Sequence, residues 1–268
     1  MKNLWIVLLF ACSVTQAQEL FVVTEPASNM PAKSLGLRLG NYLMKESNSS
    51  RYDYHLVPEL MWGADKNLML HADAFLSNQE KSFSTEGGSF YAKYRFLASD
   101  KVHAHLRMAA FARYSFNNSN IHQEEIDLYG HNSGYQAGLI TTQLLHKVAL
   151  SSTVSYVRAT DNGSGNKMPS SNAKDAVNYS LSFGELILPR SYTSYGQTNM
   201  NFMLELLGQT LGSNGKSYLD AVPSVQFIFN SQARIDLGYR RQLYSSMQRT
   251  SPNGVLLRFE YLLFNAFR

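Results

Sequence analysis

Glu59 and His71 stand on either side of a short turn signal, Ala64 to Asn67, so they should approach each other across neighbouring segments of chain. Imidazole and carboxylate together can bind a divalent transition metal. Asp73, His103 and His105 share the same alternating pattern. Their spacing matches no closed metal motif, and the competing reading is histidines hydrogen-bonded within a polar interior. A second group lies in the run from His122 to His131, where two histidines accompany Glu124, Glu125 and Asp127. It could attract cations, or it could be a solvated acidic loop. The metal-ligand candidates are therefore Glu59, His71, His122 and His131. Gly-rich phosphate loops, His-Glu-x-x-His and Cys-x-x-Cys elements are absent, and no cofactor is expected.

The elements that must position these groups show a two-residue period, the mark of half-buried strands. Leu35, Leu37 and Leu39 alternate with Gly36, Arg38 and Gly40; Phe90, Ala92, Tyr94 and Phe96 alternate with Tyr91, Lys93 and Arg95. Val177, Tyr179, Leu181 and Phe183 alternate with Asn178, Ser180 and Ser182, and the pattern runs on to Val255, Leu257, Phe259, Tyr261 and Leu263. Twelve such segments can be traced, each of about ten residues, the length of a tilted strand crossing a bilayer. An even number suits a single-chain barrel. Pro58 and Pro223 fall inside segments, where bulges or strand boundaries are expected, because proline cannot donate to the ladder.

Connections after even segments are mostly tight: Ala64 to Asn67, Ala98 to Lys101, His146-Lys147, and Asn230 to Gln232. Leu188 to Gln197 is the exception. Those after odd segments are generally longer and polar, as in Asn117 to Gly134 and Asp161 to Asp175. This sorting is the outer-membrane arrangement, with short turns and both termini in the periplasm. An open sheet edge is not tolerated in lipid, so the last segment, Gly254 to Phe264, must pair with the first, Ser34 to Lys45. The fold expected is all-β: a closed antiparallel transmembrane β-barrel of about 12 strands over residues 34–268.

Composition fits. Of the 268 residues only 16% are charged and 12% aromatic, with 16 Tyr and 15 Phe against 2 Trp. A tyrosine-rich chain with few charges and no long apolar run can show one face to lipid and the other to water. The net charge of +4 comes without any Lys/Arg run, so no nucleic-acid partner is expected. Residues 1–17 read as a signal peptide: Lys2, an apolar core from Leu4 to Ala11, then Thr15-Gln16-Ala17. Cleavage after Ala17 would remove the single cysteine, Cys12, although Leu9-Phe10-Ala11-Cys12 loosely resembles a lipoprotein box. Residues 18–33, with Pro26 and Pro31, form a periplasmic segment that either hangs free or acts as a plug. Glu25 could meet an inward arginine, so Glu25 to Lys33 is expected at or inside the periplasmic opening.

The ending Phe259 to Arg268 resembles the aromatic C-terminal strand by which outer-membrane barrels are recognised by the assembly machinery, with Phe267 next to last and Arg268 terminal. Thr24 to Lys33, Pro58 to Gly63 and Val225 to Asn230 carry a wider resemblance, over nearly all the mature chain, to an uncharacterised Gram-negative outer-membrane β-barrel family of porin-like type. It implies compartment, lipid surroundings and architecture, and no activity. If the apolar residues face lipid, a charged set faces the lumen: Arg38, Asp53, His55, Glu59, His71, Asp73, Lys93, Arg95, His103, His105, Arg107, Glu205, Arg234, Asp236, Arg240, Arg258 and Glu260. Such a wall makes a pathway for a small solute or ion, or a salt-bridged interior that closes a narrow barrel and leaves a structural or surface-binding protein. One enzymatic alternative remains. His131-Asn132-Ser133-Gly134 resembles the His-x-Ser element of outer-membrane phospholipases and lipid A deacylases, where the histidine activates the serine.

Overall fold

In the computed structural model the described residues are 21–267, apart from 48, 80, 81, 103 and 192–195. The signal segment, Cys12, His103 and Arg268 lie outside them. Twelve antiparallel strands form one closed barrel: β1 (Leu35–Lys45), β2 (Tyr52–Gly63), β3 (Leu68–Ser77), β4 (Ser84–Lys101), β5 (Ala104–Asn117), β6 (Ser133–Leu145), β7 (Val148–Thr160), β8 (Asp175–Leu188), β9 (Asn199–Leu211), β10 (Ser217–Phe229), β11 (Ala233–Ser245) and β12 (Asn253–Leu263). Each strand pairs with its sequence neighbours. The seam closes between β1 and β12, from Leu35 opposite Leu263 to Lys45 opposite Asn253. Every ladder finds a partner, as backbone groups in hydrocarbon require.

The alternation sorts side chains through the wall. Leu37, Leu39 and Leu43 on β1 are exposed while Arg38 between them is buried. Exposed leucines, tyrosines and phenylalanines recur outward around the barrel, and glutamates, arginines and glutamines fill the interior. A sheet apolar outside and polar inside is the inverse of a water-soluble barrel.

Short turns gather at one end and longer loops at the other. At the short-turn end, Asn230 and Ser231 both take positive φ (50° and 57°), the left-handed pair that a tight primed hairpin turn needs. The amide of Gln232 closes it on the carbonyl of Phe229. The turn expected at Ala98 to Lys101 is instead strand, because the β4–β5 register shifts between Arg95 and Leu97 and pairing then runs on to Lys101 opposite Ala104.

The prolines also differ from expectation. Pro58 is opposite Leu39 on β1, but the β2–β3 pairing lapses between Leu56 and Glu59 without changing register. Pro223 is opposite Leu204 on β9, and the β10–β11 pairing lapses between Ala221 and Ser224. Neither is a strand boundary or a bulge. Each proline simply leaves one ladder bond unmade on one side, since it has no N–H.

Candidate functional site: the occupied interior

The interior charge array follows from strand register. Arg38 on β1 is opposite Glu260 on β12 and Glu59 on β2. Its Nε donates to Glu260 at 2.8 Å, and its Nη1 to Glu59 at 3.0 Å. Arg234 is opposite Glu260 and donates to it at 2.5 Å; Arg258 is opposite Asp236 and donates at 2.7 Å. On the far side of Glu59, His71 Nδ1 meets the same carboxylate, and Asp73 takes Arg113 at 2.8 Å. From Arg234 through Glu260 and Arg38 to Glu59 the sign alternates from strand to strand, so each of these charges meets an opposite one. Removing one member would strand the others, at roughly 3–5 kcal/mol for a buried pair.

The chain before β1 passes inside the barrel. The amides of Val22, Val23 and Thr24 donate to the Glu205 carboxylate at 2.9, 3.0 and 2.7 Å. Arg258 donates to the carbonyls of Phe21 and Val22 at 2.6 and 2.7 Å. Glu25 pairs with Arg38 at 3.2 Å and Lys93 at 3.3 Å, and Lys93 also reaches the Pro26 carbonyl. The Ala27 amide donates to Thr142, Arg107 donates to Ser28, and Met30 packs on Met61 and Met69. The segment leaves at the short-turn end, where the Lys33 amide meets the Gly63 carbonyl. Gly63 is required there: a Cβ would stand 2.1 Å from the Pro31 carbonyl oxygen.

From the loop end, the β5–β6 connection folds inward. Glu125 pairs with Arg249 at 2.7 Å and Arg240 at 3.3 Å, and both arginines also hold Asp220. Gln209 donates to the Ile126 carbonyl and accepts from its amide. Tyr129 reaches Glu59 at 3.4 Å, and Arg113 lies 5.0 Å over its ring. Ile126 and Leu128 are buried. The run expected as a solvated acidic loop is therefore a buried one, because its carboxylates have arginine partners and its apolar residues have cover. Burial would raise the Glu125 carboxyl, but Arg249 and Arg240 outweigh it and hold it at about 2.

That depression has a pH consequence. A carboxyl lowered on folding stabilises fully above its unfolded value, roughly 4.3, and loses that contribution as pH falls through about 2. The loop should hold its place from neutral pH down to the unfolded carboxyl value. Glu125→Gln should release it at neutral pH, seen as faster hydrogen exchange at residues 122–131 by mass spectrometry. Equal protection in the variant would contradict this anchoring role.

Between the N-terminal segment and the loop lies a cavity of ≈ 320 Å³. Arg38, Glu59, Arg113, Arg240 and Arg258 line one side; Thr153, Ser155, Asn178 and Ser180 line the other. His55 also faces it, its ring 5.1 Å from that of His131. Other residues of the charged set sit elsewhere. Asp53 bonds Ser251, and Arg95 reaches the Lys66 carbonyl in the β2–β3 turn. His105 and Arg107 share Asp100 near the β4–β5 turn. Arg95 and His105 are thus rim residues: Arg95 lies just past the end of its pairing with β3, and His105 is the second residue of β5.

Glu25, Glu59 and His71 bring ligand atoms within 4.8 Å of one another. Arg38 and Lys93 already neutralise these carboxylates, so a dication would meet cations there. His122 and His131 stand apart from this group. Ser133 is also committed: its Oγ accepts from the Asn117 amide at 2.8 Å and faces the Asn117 carbonyl. Among the described contacts His131 lies 3.8 Å from Asp127 and makes no hydrogen bond to Ser133. The His-x-Ser pair is not brought together as a nucleophile and base, because the serine serves the start of β6.

Alternation could have found Arg113 and Asp220, which continue the inward rows of Arg107 and Ser224. Glu125, Tyr129 and Arg249 lie in loops, where period gives no signal.

No protein-family model and no curated protein matches the sequence. Solved structures do. An outer-membrane channel from Pseudomonas putida F1 shares 12% identity at a TM-score of 0.57, over 90% of this chain and 99% of that one. The fold is that of a transmembrane β-barrel. OccK2 (OpdF) from Pseudomonas aeruginosa gives 10% identity and a TM-score of 0.43, over 86% and 96% of the two chains. OmpF from Salmonella typhi gives 9% and 0.39, over 86% and 97%. At 12% identity the likeness to the Pseudomonas putida channel speaks for the fold alone, and function has to be argued from the interior of this chain.

Proposed function

We propose that the protein is an outer-membrane channel that passes a small solute through its interior cavity, with the short-turn end in the periplasm. The observation that carries this is the cavity of ≈ 320 Å³, lined by charged and apolar side chains alike, inside an apolar-coated cylinder. It falls in the range of about 300–1,000 Å³ typical of small-molecule sites. The N-terminal segment acts as a plug that narrows the pathway, and the paired wall charges fix the polar part of its lining. Residues 1–17 direct export, the C-terminal strand engages the assembly machinery, and the exposed apolar belt sits in lipid.

Reconstitution in a planar bilayer tests the reading. The wild type should give small, discrete conductance steps, and unboiled protein should migrate differently from boiled protein on a gel. Absence of steps from both the wild type and a variant lacking residues 21–30 would overturn it.

A further inference from the structure

Glu205 does something unusual for a lumen carboxylate: it accepts three consecutive peptide amides, from Val22, Val23 and Thr24. Arg258 takes the carbonyls of Phe21 and Val22 beside them. These contacts read main chain and are blind to side-chain identity. Side-chain reading begins one residue later, where Arg38 and Lys93 converge on Glu25. Val23, in the middle of the clamped stretch, is 41% exposed and projects toward the cavity.

We propose that Glu205, Arg258, Arg38 and Lys93 form a binding site for short peptides that bend around the Glu205 carboxylate and bear an acidic residue, which the chain's own N-terminal segment occupies in cis. The proposal rests on the channel reading and names the class of solute. A carboxylate matched to successive N–H groups and a guanidinium matched to successive carbonyls are charge-assisted contacts, roughly twice as strong as neutral ones. Any L-peptide that takes the same bend offers these donors and acceptors. An acidic side chain after the third amide then finds two cations. A basic residue at that position would meet Arg38 and Lys93 and be rejected.

The test uses a synthetic peptide copying Phe21 to Met30 and the protein lacking residues 21–30. Binding is read by fluorescence anisotropy of labelled peptide in detergent, and in parallel by block of single-channel current. The copy should bind and block. A peptide with Val23→Lys should bind about as well. Methylating the amides of Val22, Val23 and Thr24 removes the donors and should reduce binding at least tenfold, as should Glu25→Lys. If the methylated peptide binds equally, the clamp is wrong.

A conducting protein that binds no peptide likewise defeats this proposal while leaving the channel reading intact. Peptide binding without conductance does the reverse. Should the deletion variant fail to fold, a protease site placed after the exposed Ala32 in the full chain allows the segment to be cut after folding. Excess unmodified peptide should then displace it, and methylated peptide should not; equal displacement by the two would again overturn the clamp.

Discussion

Deletion of residues 21–30 should raise single-channel conductance several-fold. A cylinder of twelve strands is intermediate between filled eight-stranded barrels and open sixteen-stranded porins, so what occupies its interior decides whether ions pass. Here the occupant is chain. It crosses from Glu205 on β9 past Arg38 on β1 to Thr142 on β6, and exits beside Gly63. Its removal frees Glu205, Arg258 and Lys93 from main-chain partners, and water entering the lumen replaces them. The barrel itself should survive, because all twelve ladders are independent of the segment. Conductance of the deletion variant equal to that of the wild type would show that the segment does not narrow the path.

Leu181→Arg should prevent stable insertion, whereas Ser180→Arg should not. The two residues are adjacent, midway along β8, on opposite faces of the wall. Leu181 is 56% exposed on the apolar belt, and Ser180 lines the cavity. An arginine on the lipid face at mid-depth costs about 2–4 kcal/mol, comparable with much of the stability of a folded protein. The same side chain facing the lumen enters the cavity beside Thr153, Ser155 and Asn178 rather than lipid, so folding should be kept while conductance falls. Urea-dependent folding into lipid vesicles reads the first effect directly. A neutral Leu181→Arg would contradict the assignment of the outer face to lipid.

Much of this architecture is written in the chain as local alternation. Arg38 lies between Leu37 and Leu39, and that pattern alone turns it inward; pairing of the ends then sets it opposite Glu260. The loop ends of the strands were readable for a related reason, since polar residues without period cannot form ladder. What alternation does not encode is the third dimension of the lumen. Glu125 and Tyr129 sit in a connection whose composition suits solvent, and only the arginines of distant strands give it a reason to fold inward. The two prolines show the same limit at smaller scale. Sequence identifies a missing donor, but whether the strand bends, ends or merely skips a bond depends on the neighbour opposite. The histidines divide the same way: the turn signal put His71 near Glu59, but nothing in the sequence turned His131 to His55 or gave Ser133 to Asn117.

The internal course of the N-terminal segment also bears on how the cylinder comes together. Its seam joins the first strand to the last, Leu35 with Leu263, the contact of greatest sequence separation in the wall and the slowest kind to find. Loop-closure entropy grows with the length of chain that must be looped. Phe21 and Val22 hold Arg258 on β12, and they precede β1 by little more than the segment itself. Forming that grip itself closes a loop of 237 positions, but once it is made β1 searches for β12 from the end of a short tether. The piece that obstructs the finished cylinder thus shortens the last search in its assembly.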